Sequence, residues 1–143
     1  MTDSFYMDLM KKLNGLQEQI NALRTIEIGG VWTDWTPTTV GWSATTTLAC
    51  QYTRIGRFVA VMYYIIGTSD TTTMYLGLPF SADTFPSIGV LAYGVDNGAA
   101  MSNPAYVVTD TADMVRVYKT TTGESWTASG SKRIATQFFY KAA

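Results

Sequence analysis

The N-terminal part of the chain repeats apolar residues at alternating steps of three and four. These residues are Tyr6, Leu9, Leu13, Leu16, Ile20 and Leu23. The spacing places them at the a and d positions of a coiled coil and predicts a helix over Tyr6–Leu23. A lone helix of this length is marginal in water, so we expect copies of the chain to cover the apolar seam. The alternative is an amphipathic helix packed on its own domain. The heptads do not separate a dimer from a trimer.

The apolar period changes after the last heptad. Ile26 and Ile28 lie two residues apart, and Gly29-Gly30 then interrupts any helix. The pattern therefore predicts an N-terminal coiled-coil helix and stalk over residues 1–29 and a β-sandwich head domain over residues 30–143.

The head is rich in Thr, Tyr, Val, Ile and Trp, in short runs separated by Gly, Pro, Asn and Asp. Two runs, Leu48–Gly56 and Arg57–Thr68, read as a hairpin that turns at Ile55-Gly56. The second run is apolar on both faces, which predicts a central strand covered on both sides. Further strands are predicted at Thr73–Leu78, Ile88–Tyr93, Ala105–Thr109, Asp113–Lys119, Glu124–Ala128 and Lys132–Tyr140. This density of short strands predicts a mainly β fold, an antiparallel sandwich of jelly-roll or Greek-key type.

The composition favours self-association of the chain and gives no reason to expect nucleic acid or a membrane as a partner. The chain is 47% hydrophobic and 15% charged, against roughly a quarter charged in an average protein, so we expect part of its surface to be hidden between copies. The formal net charge of −1 gives no electrostatic reason to expect nucleic acid as a partner. No apolar run approaches the roughly 20 residues of a membrane span, and the start lacks the apolar core of a secretory signal. We therefore expect no membrane insertion.

Candidate catalytic chemistry is sparse. The chain has no histidine and a single cysteine, Cys50, which excludes Ser-His-Asp and Cys-His catalysis and most zinc sites. We expect Cys50 to be a buried structural thiol. Paired carboxylates for glycoside hydrolysis remain an alternative, as Asp110 with Asp113 or Asp96 with Glu124. Both pairs are better explained as turn residues, so we predict no enzyme, no cofactor and no metal.

Tryptophans and loops supply the candidate binding residues. Trp32 and Trp35 are predicted to be buried in the core or at a subunit interface, whereas Trp42 lies in a Gly-Trp-Ser loop where it can stack on a sugar. Binding residues collect on loops held by a rigid scaffold. The predicted receptor or glycan contacts are Trp42, Asp70, Asp96, Asn97, Thr121 and Glu124.

Two stretches carry a recognisable pattern. They are WTDWTPT at Trp32–Thr38 and the longer segment Cys50–Ala82. The matching residues in the second are Tyr52, Ile55, Gly56 and Val59, then Gly67-Thr68-Ser69, then Leu78-Pro79-Phe80 and Ala82. Together these stretches resemble a segment common in virion proteins of tailed bacteriophages, over about a third of the chain.

The resemblance implies a trimeric tail-fibre, receptor-binding or head-surface protein with a β-sandwich after a coiled-coil stalk. The expected function is that of a non-enzymatic homotrimeric tip on the virion surface, assembled in the host cytoplasm, that attaches to the host. Its partners would be further copies of the chain, other virion proteins bound through the N-terminal segment, and a host surface glycan or protein. The alternatives are a capsid decoration or head-fibre protein anchored by residues 1–7, and a carbohydrate-binding lectin domain. The resemblance transfers no binding residues.

Overall fold

A computed structural model describes residues 3–25, 31–83 and 89–143. The chain divides into two compact units, one up to Val31 and one from Trp32 onward. The first unit contains helix α1, Asp3–Thr25. The described residues of the second unit form β1 (Thr33–Trp35), β2 (Thr39–Val40), β3 (Ala44–Leu48), β4 (Cys50–Ile55), β5 (Phe58–Thr68), β6 (Met74–Gly77), β7 (Gly89–Asp96), β8 (Ala99–Ala100), β9 (Ala105–Thr109), β10 (Met114–Tyr118) and β11 (Ser131–Lys141). The boundary predicted between residues 29 and 30 lies outside the described residues.

Helix α1 confirms the helix predicted over Tyr6–Leu23. The structure describes the side chains of two seam residues, Leu13 and Leu16, which are 50% and 55% exposed in the single chain. The side chains of the other four seam residues, Tyr6, Leu9, Ile20 and Leu23, lie outside the described part. At the two positions that can be assessed, the apolar seam is therefore open to solvent, and its covering by other copies stays a prediction.

The strands form one curled antiparallel sheet, which confirms the mainly β prediction. The order of neighbours is β1-β4-β5-β11-β7-β9-β10-β6-β2, with β3 added to β5 and β8 added to β7. Only residues 36–38 separate β1 from β2, although these strands stand at opposite ends of this order. The sheet must therefore curl until its two ends lie close together. Strand β7 turns the corner, because Gly89–Ala92 pairs with β9 and Tyr93–Asp96 pairs with β11.

The inner face of this sheet holds the core. In β5, Val59, Val61, Tyr63 and Ile65 alternate onto that face and are at most 1% exposed. Each aliphatic side chain buried in this way is worth about 1.5–3 kcal/mol. The hydroxyl of Tyr63 donates a hydrogen bond of 2.8 Å to the carbonyl of Gly77, so the one polar atom of this row is satisfied.

Cys50 also lies in the core, at 2% exposure. Burial raises the pKa of its thiol, and a hydrogen bond with the backbone of Tyr64 opposes that rise only in part. The thiol therefore stays protonated at neutral pH, as expected of a structural cysteine.

Strand β5 is central in the sheet, as predicted, with β4 and β3 on one side and β11 on the other. The prediction that both of its faces are covered is wrong for the single chain. Phe58 is 52% exposed and Tyr64 is 37% exposed, while Ala60, Met62 and Ile66 between them are half-buried. The physical reason is that no described residue of the second unit forms a layer over this outer face.

Most of the other predicted strands are confirmed within one or two residues, but the strand predicted at Glu124–Ala128 is wrong. Those residues have irregular backbone between β10 and β11. Only Trp126 of this segment is buried, and its backbone N–H donates to the carbonyl of Thr72 across 3.1 Å. A single anchored aromatic residue holds the segment in place, so its alternating sequence does not need a strand partner.

The tryptophans near the start of the second unit separate into two environments. Trp35 is half-buried and packs edge-on against Tyr63 and Tyr52, with ring centroids 5.8 and 6.4 Å apart. Trp32 is 47% exposed. Burial of Trp32 in the core is therefore wrong for the single chain, because Trp32 precedes the first strand and is not fixed in the sheet. A role at a subunit interface stays a prediction.

Candidate functional site

The predicted contact residues Asp96, Asn97 and Glu124 lie around one open pocket of about 400 Å³, here called the loop pocket. It is bounded by the turn after β7, the segment that leads to β9, and the loop after β10. Its polar lining includes Asp96, Asn97, Ser102, Asn103, Lys119, Thr120, Glu124 and Thr127. Thr121, a fourth predicted contact, is exposed in the same loop, next to Thr120.

The turn between β7 and β8 forms one side of the loop pocket. Its two central residues, Asn97 and Gly98, have φ values of 50° and 80°. Two successive positive φ values are the signature of a tight hairpin turn, for which Asn-Gly is the preferred sequence. This turn directs Asn97 toward Gly130, where a Cβ atom would lie 2.0 Å from the Asn97 side-chain oxygen. The glycine at position 130 therefore makes room for the asparagine.

Asp96 ends β7 and is the electrostatic centre of this region. Its partner in the register with β11 is Lys132, whose side chain is fully buried and whose Nζ lies 2.8 Å from Oδ1 of Asp96. Nζ of Lys119 lies 3.0 Å from Oδ2 of the same carboxylate. The hydroxyl of Thr127 also donates to Oδ2, across 2.9 Å. Two ammonium groups and a hydroxyl thus converge on one carboxylate.

This convergence determines the charge of Asp96. Burial alone would raise the pKa of its carboxyl, but hydrogen bonds from Lys132, Lys119 and Thr127 outweigh that effect and lower the pKa to about 2. Asp96 is therefore ionised at neutral pH. A glycosidase needs one carboxyl of raised pKa to act as an acid, so Asp96 cannot be that acid in a pair with Glu124. With a side chain only 5% exposed, Asp96 holds the wall of the pocket together.

Acid should remove the stability that Asp96 contributes. The pKa of Asp96 is lower in the folded chain, about 2, than the roughly 3.9 of an unfolded Asp, so its contribution of about 2–3 kcal/mol is present above pH ~4 and is lost as the pH falls toward 2. Urea unfolding of the wild-type chain and of Asp96→Asn, which does not titrate, measures this contribution. We expect the difference between their unfolding free energies to shrink between pH ~5 and pH ~2; a difference that stays constant would contradict the assignment.

The loop after β10 forms the opposite side of the pocket and is closed by its own hydrogen bonds. The backbone N–H of Lys119 donates to the carbonyl of Glu124 across 3.0 Å, and the N–H of Gly123 donates to the carbonyl of Thr120 across 3.1 Å. The hydroxyls of Thr120 and Thr122 lie 2.8 Å apart. These bonds leave Thr121 and Glu124 exposed on a fixed loop. Such an arrangement presents polar groups with little ordering cost on binding.

The structure does not bring Trp42 and Asp70 into the loop pocket. Trp42 is half-buried against the core, and the position of a Cβ on Gly67 would be 3.0 Å from its ring. Its indole nitrogen is buried and has no hydrogen-bond partner among the described residues. The indole is therefore packed on the sheet, which leaves little of it to stack on a sugar. Asp70 is exposed, one residue after Ser69, whose N–H donates to Gly130.

Sequence reasoning missed the two lysines, Lys119 and Lys132, that hold Asp96. The alternating run Lys132–Tyr140 did contain a signal for one of them. Lys132 shares its face with Ile134 and Phe138, which are buried, so the strand itself carries a lysine into the interior. A buried lysine needs a carboxylate partner.

Comparison with protein families, with curated proteins and with solved structures finds no match to this chain. Among the described residues, no group of three or more potential ligands is placed to hold a metal ion. No helix in the described part of the chain is long and apolar enough to cross a membrane.

Proposed function

We propose that this chain is a non-enzymatic surface protein of a tailed-bacteriophage virion, a homotrimer that attaches to the host through its β-rich head. The observation that carries the proposal is the heptad seam of α1, which is exposed at Leu13 and Leu16 in the single chain. A seam that leaves large aliphatic side chains in water is stabilised when further copies cover it. The resemblance of the segment between Trp32 and Ala82 to virion proteins of tailed bacteriophages is the reason for proposing this class of protein.

In this proposal the second unit is a β-sandwich head of jelly-roll or Greek-key type, and α1 is the stalk of a three-stranded coiled coil. What supports the head assignment is the curl of the antiparallel sheet around one core. The N-terminal end of the stalk would attach to other virion proteins. The same architecture serves a capsid decoration or head fibre, and immunogold labelling of virions separates tail from capsid.

The loop pocket is the proposed contact with a host surface glycan. Its volume of about 400 Å³ falls in the range of small-molecule sites and suits one or two sugar rings. Asn97, Asn103 and Glu124 offer donors and acceptors on its rim, as the hydroxyls of a neutral sugar require. The single contact would be weak because the pocket is open to solvent, and threefold display would compensate through avidity.

Separate variants of the helix seam and of the loop pocket test this proposal. We expect Leu13→Asp/Leu16→Asp to turn the wild-type oligomer into a monomer in sedimentation velocity, because aspartates at adjacent a and d positions cannot be buried. On an array of bacterial surface polysaccharides, this monomer should bind at least about 100-fold more weakly than wild type. Glu124→Ala, in the pocket, should weaken binding while the chain stays oligomeric, and Asp110→Ala, in a distant exposed turn, is its control.

An unchanged sedimentation coefficient in the seam variant would overturn the stalk. Normal array binding by Glu124→Ala would move the contact away from the loop pocket. Array binding that is equally strong in the monomeric seam variant would instead favour a free-standing lectin domain, whose single sites need no avidity.

A further inference from the structure

The outer side of the curled sheet carries large apolar side chains that are exposed and do not belong to the core. Six of them are between 37% and 63% exposed, and together they define the outer apolar face: Ile55, Phe58, Tyr64, Leu91, Tyr93 and Phe139. Isolated exposed apolar residues are common on soluble proteins. A contiguous apolar patch, in contrast, marks an interaction surface.

The strand register places these residues on one face of neighbouring strands. Ile55 of β4 pairs with Phe58 of β5, and Phe139 of β11 pairs with Ala60, two residues along β5. The rings of Phe58 and Phe139 meet diagonally across the two strands, with centroids 5.3 Å apart. At the other end, Ala135 of β11 sits between Tyr64 of β5 and Tyr93 of β7. The patch thus runs over four neighbouring strands, with the half-buried Ala60, Met62 and Ala135 between its two ends. On β11 the exposed Gln137, which pairs with Met62, is a polar residue within the same face.

The outer apolar face reaches the upper end of the apolar patch sizes that monomers ordinarily show. Six large side chains that are each about half exposed leave on the order of 600 Å² of apolar surface, before the half-buried residues between them are added. The largest apolar patch of a typical monomer is about 300–600 Å². A stable interface covers about 800 Å² on each partner. The face therefore approaches the area of one side of a protein interface.

Charge around the face also favours a partner of the same kind. Lys141, which pairs with Phe58 at the rim, is held by Asp83 across 2.9 Å, and Asp83 also binds Arg57 across 3.0 Å. Lys141 and Arg57 are thus paired within the chain, and Arg133 lies half-buried at the other end of the face. The chain as a whole carries a net charge of −1. Two such faces can approach each other with little electrostatic repulsion.

We infer that the outer apolar face is an interface between the heads of copies of this chain. The choice of a second copy as the partner rests on the proposed self-association through the helix seam, which would bring heads together at high local concentration. A weak apolar contact is then enough to hold the heads together. Such an interface would also explain why β5 is apolar on both faces.

The first test measures assembly in the full-length chain. Phe58→Lys/Phe139→Lys replaces the two packed rings at one end of the face by two charges and leaves the core residues and the helix intact. We expect its oligomer dissociation constant to rise by roughly 30-fold in sedimentation equilibrium, the effect of losing an interface hot spot. Ala112→Lys/Ser125→Lys adds the same charge in exposed loops and should match wild type. Circular dichroism melting checks that each variant folds.

The second test identifies what lies on the face. A photo-reactive phenylalanine analogue at position 139 is cross-linked in a mixture of ¹⁴N- and ¹⁵N-labelled chains, and mixed-isotope peptides report contacts between copies. We expect mixed-isotope links to strands β4, β5, β7 or β11. Links confined to residues 3–25 of the same chain would show that its own helix covers the face and would overturn the inference.

The two proposals fail in different experiments. If Phe58→Lys/Phe139→Lys assembles as tightly as wild type, the outer apolar face is not an interface, and the stalk proposal stands. If Leu13→Asp/Leu16→Asp keeps the wild-type mass, the stalk proposal fails, and an effect of the face variant would then make the heads the main interface.

Discussion

Replacing Asp96 by Ala is expected to lower the free energy of unfolding by about 3–5 kcal/mol, the cost of leaving a buried charge without its partner. The residue left behind is Lys132, whose side chain has no exposure to solvent and whose ammonium group lies 2.8 Å from the Asp96 carboxylate. Without that carboxylate the ammonium keeps only the carbonyl of Ser129 as a partner in the described structure. A loss of this size is a large fraction of the 5–15 kcal/mol that stabilises an ordinary domain.

Two variants make this prediction specific. Asp110→Ala removes an exposed carboxylate from a turn and should change the unfolding free energy by at most about 0.5 kcal/mol. Lys132→Met removes the buried charge but keeps most of the side-chain volume, and Asp96 retains Lys119 and Thr127. We therefore expect Lys132→Met to cost less than Asp96→Ala in urea unfolding. The reverse order would mean that the packing of the lysine, and not its charge, dominates.

The same lysine shows how far sequence periodicity reaches. The alternation in Lys132–Tyr140 predicts strand β11 and the face on which each residue lies, so the burial of Lys132 follows from the pattern. The pattern does not identify the residue that pairs with Lys132. Asp96 meets Lys132 only because β7 pairs with β11 in one register, and a sheet order that joins distant strands is not encoded in the local pattern of either strand.

Strand β5 shows the complementary limit. Its two apolar faces predict a central strand, and the structure confirms that position between β4 and β11. The alternating pattern of the sequence shows that both faces of the strand are apolar, but it does not show what covers each face. One face lies against the core of the same chain, while Phe58 and Tyr64 on the other stay exposed. An apolar pattern therefore does not separate a face buried in the chain's own core from one that stays exposed in the single chain.

The loop pocket was partly predictable. Asn97-Gly98 is a strong turn signal, and the structure places a tight turn at these two residues, directly after Asp96. Glu124 was set beside Asp96 only as a candidate carboxylate pair, and no repeating pattern places it at this pocket. The segment that follows Glu124 is tied to the rest of the unit by tertiary hydrogen bonds, from Trp126 to Thr72 and from Thr127 to Asp96. The alternation in residues 124–128 even suggested a strand, which the segment does not form.

Trp126 explains why that segment is ordered without pairing, and its replacement by Ala is expected to lower the free energy of unfolding by about 3–5 kcal/mol. The side chain is 2% exposed, and its indole nitrogen donates to the carbonyl of Val117 across 2.8 Å. Its ring also packs over Gly94, where a Cβ would come within 3.3 Å of it. Truncation removes a large apolar volume, leaves the Val117 carbonyl without this donor, and releases the loop that carries Thr127 to Asp96.

Two further tryptophan variants separate these contributions. Trp126→Phe keeps much of the apolar volume and loses the indole donor, so we expect it to cost about 1–3 kcal/mol. Trp32→Ala removes an indole that is 47% exposed and should cost no more than about 1 kcal/mol. Chemical denaturation of all three variants measures the series. If Trp126→Ala were as mild as Trp32→Ala, the segment after β10 would be held by its backbone hydrogen bonds alone, and the wall of the loop pocket would not depend on this tryptophan.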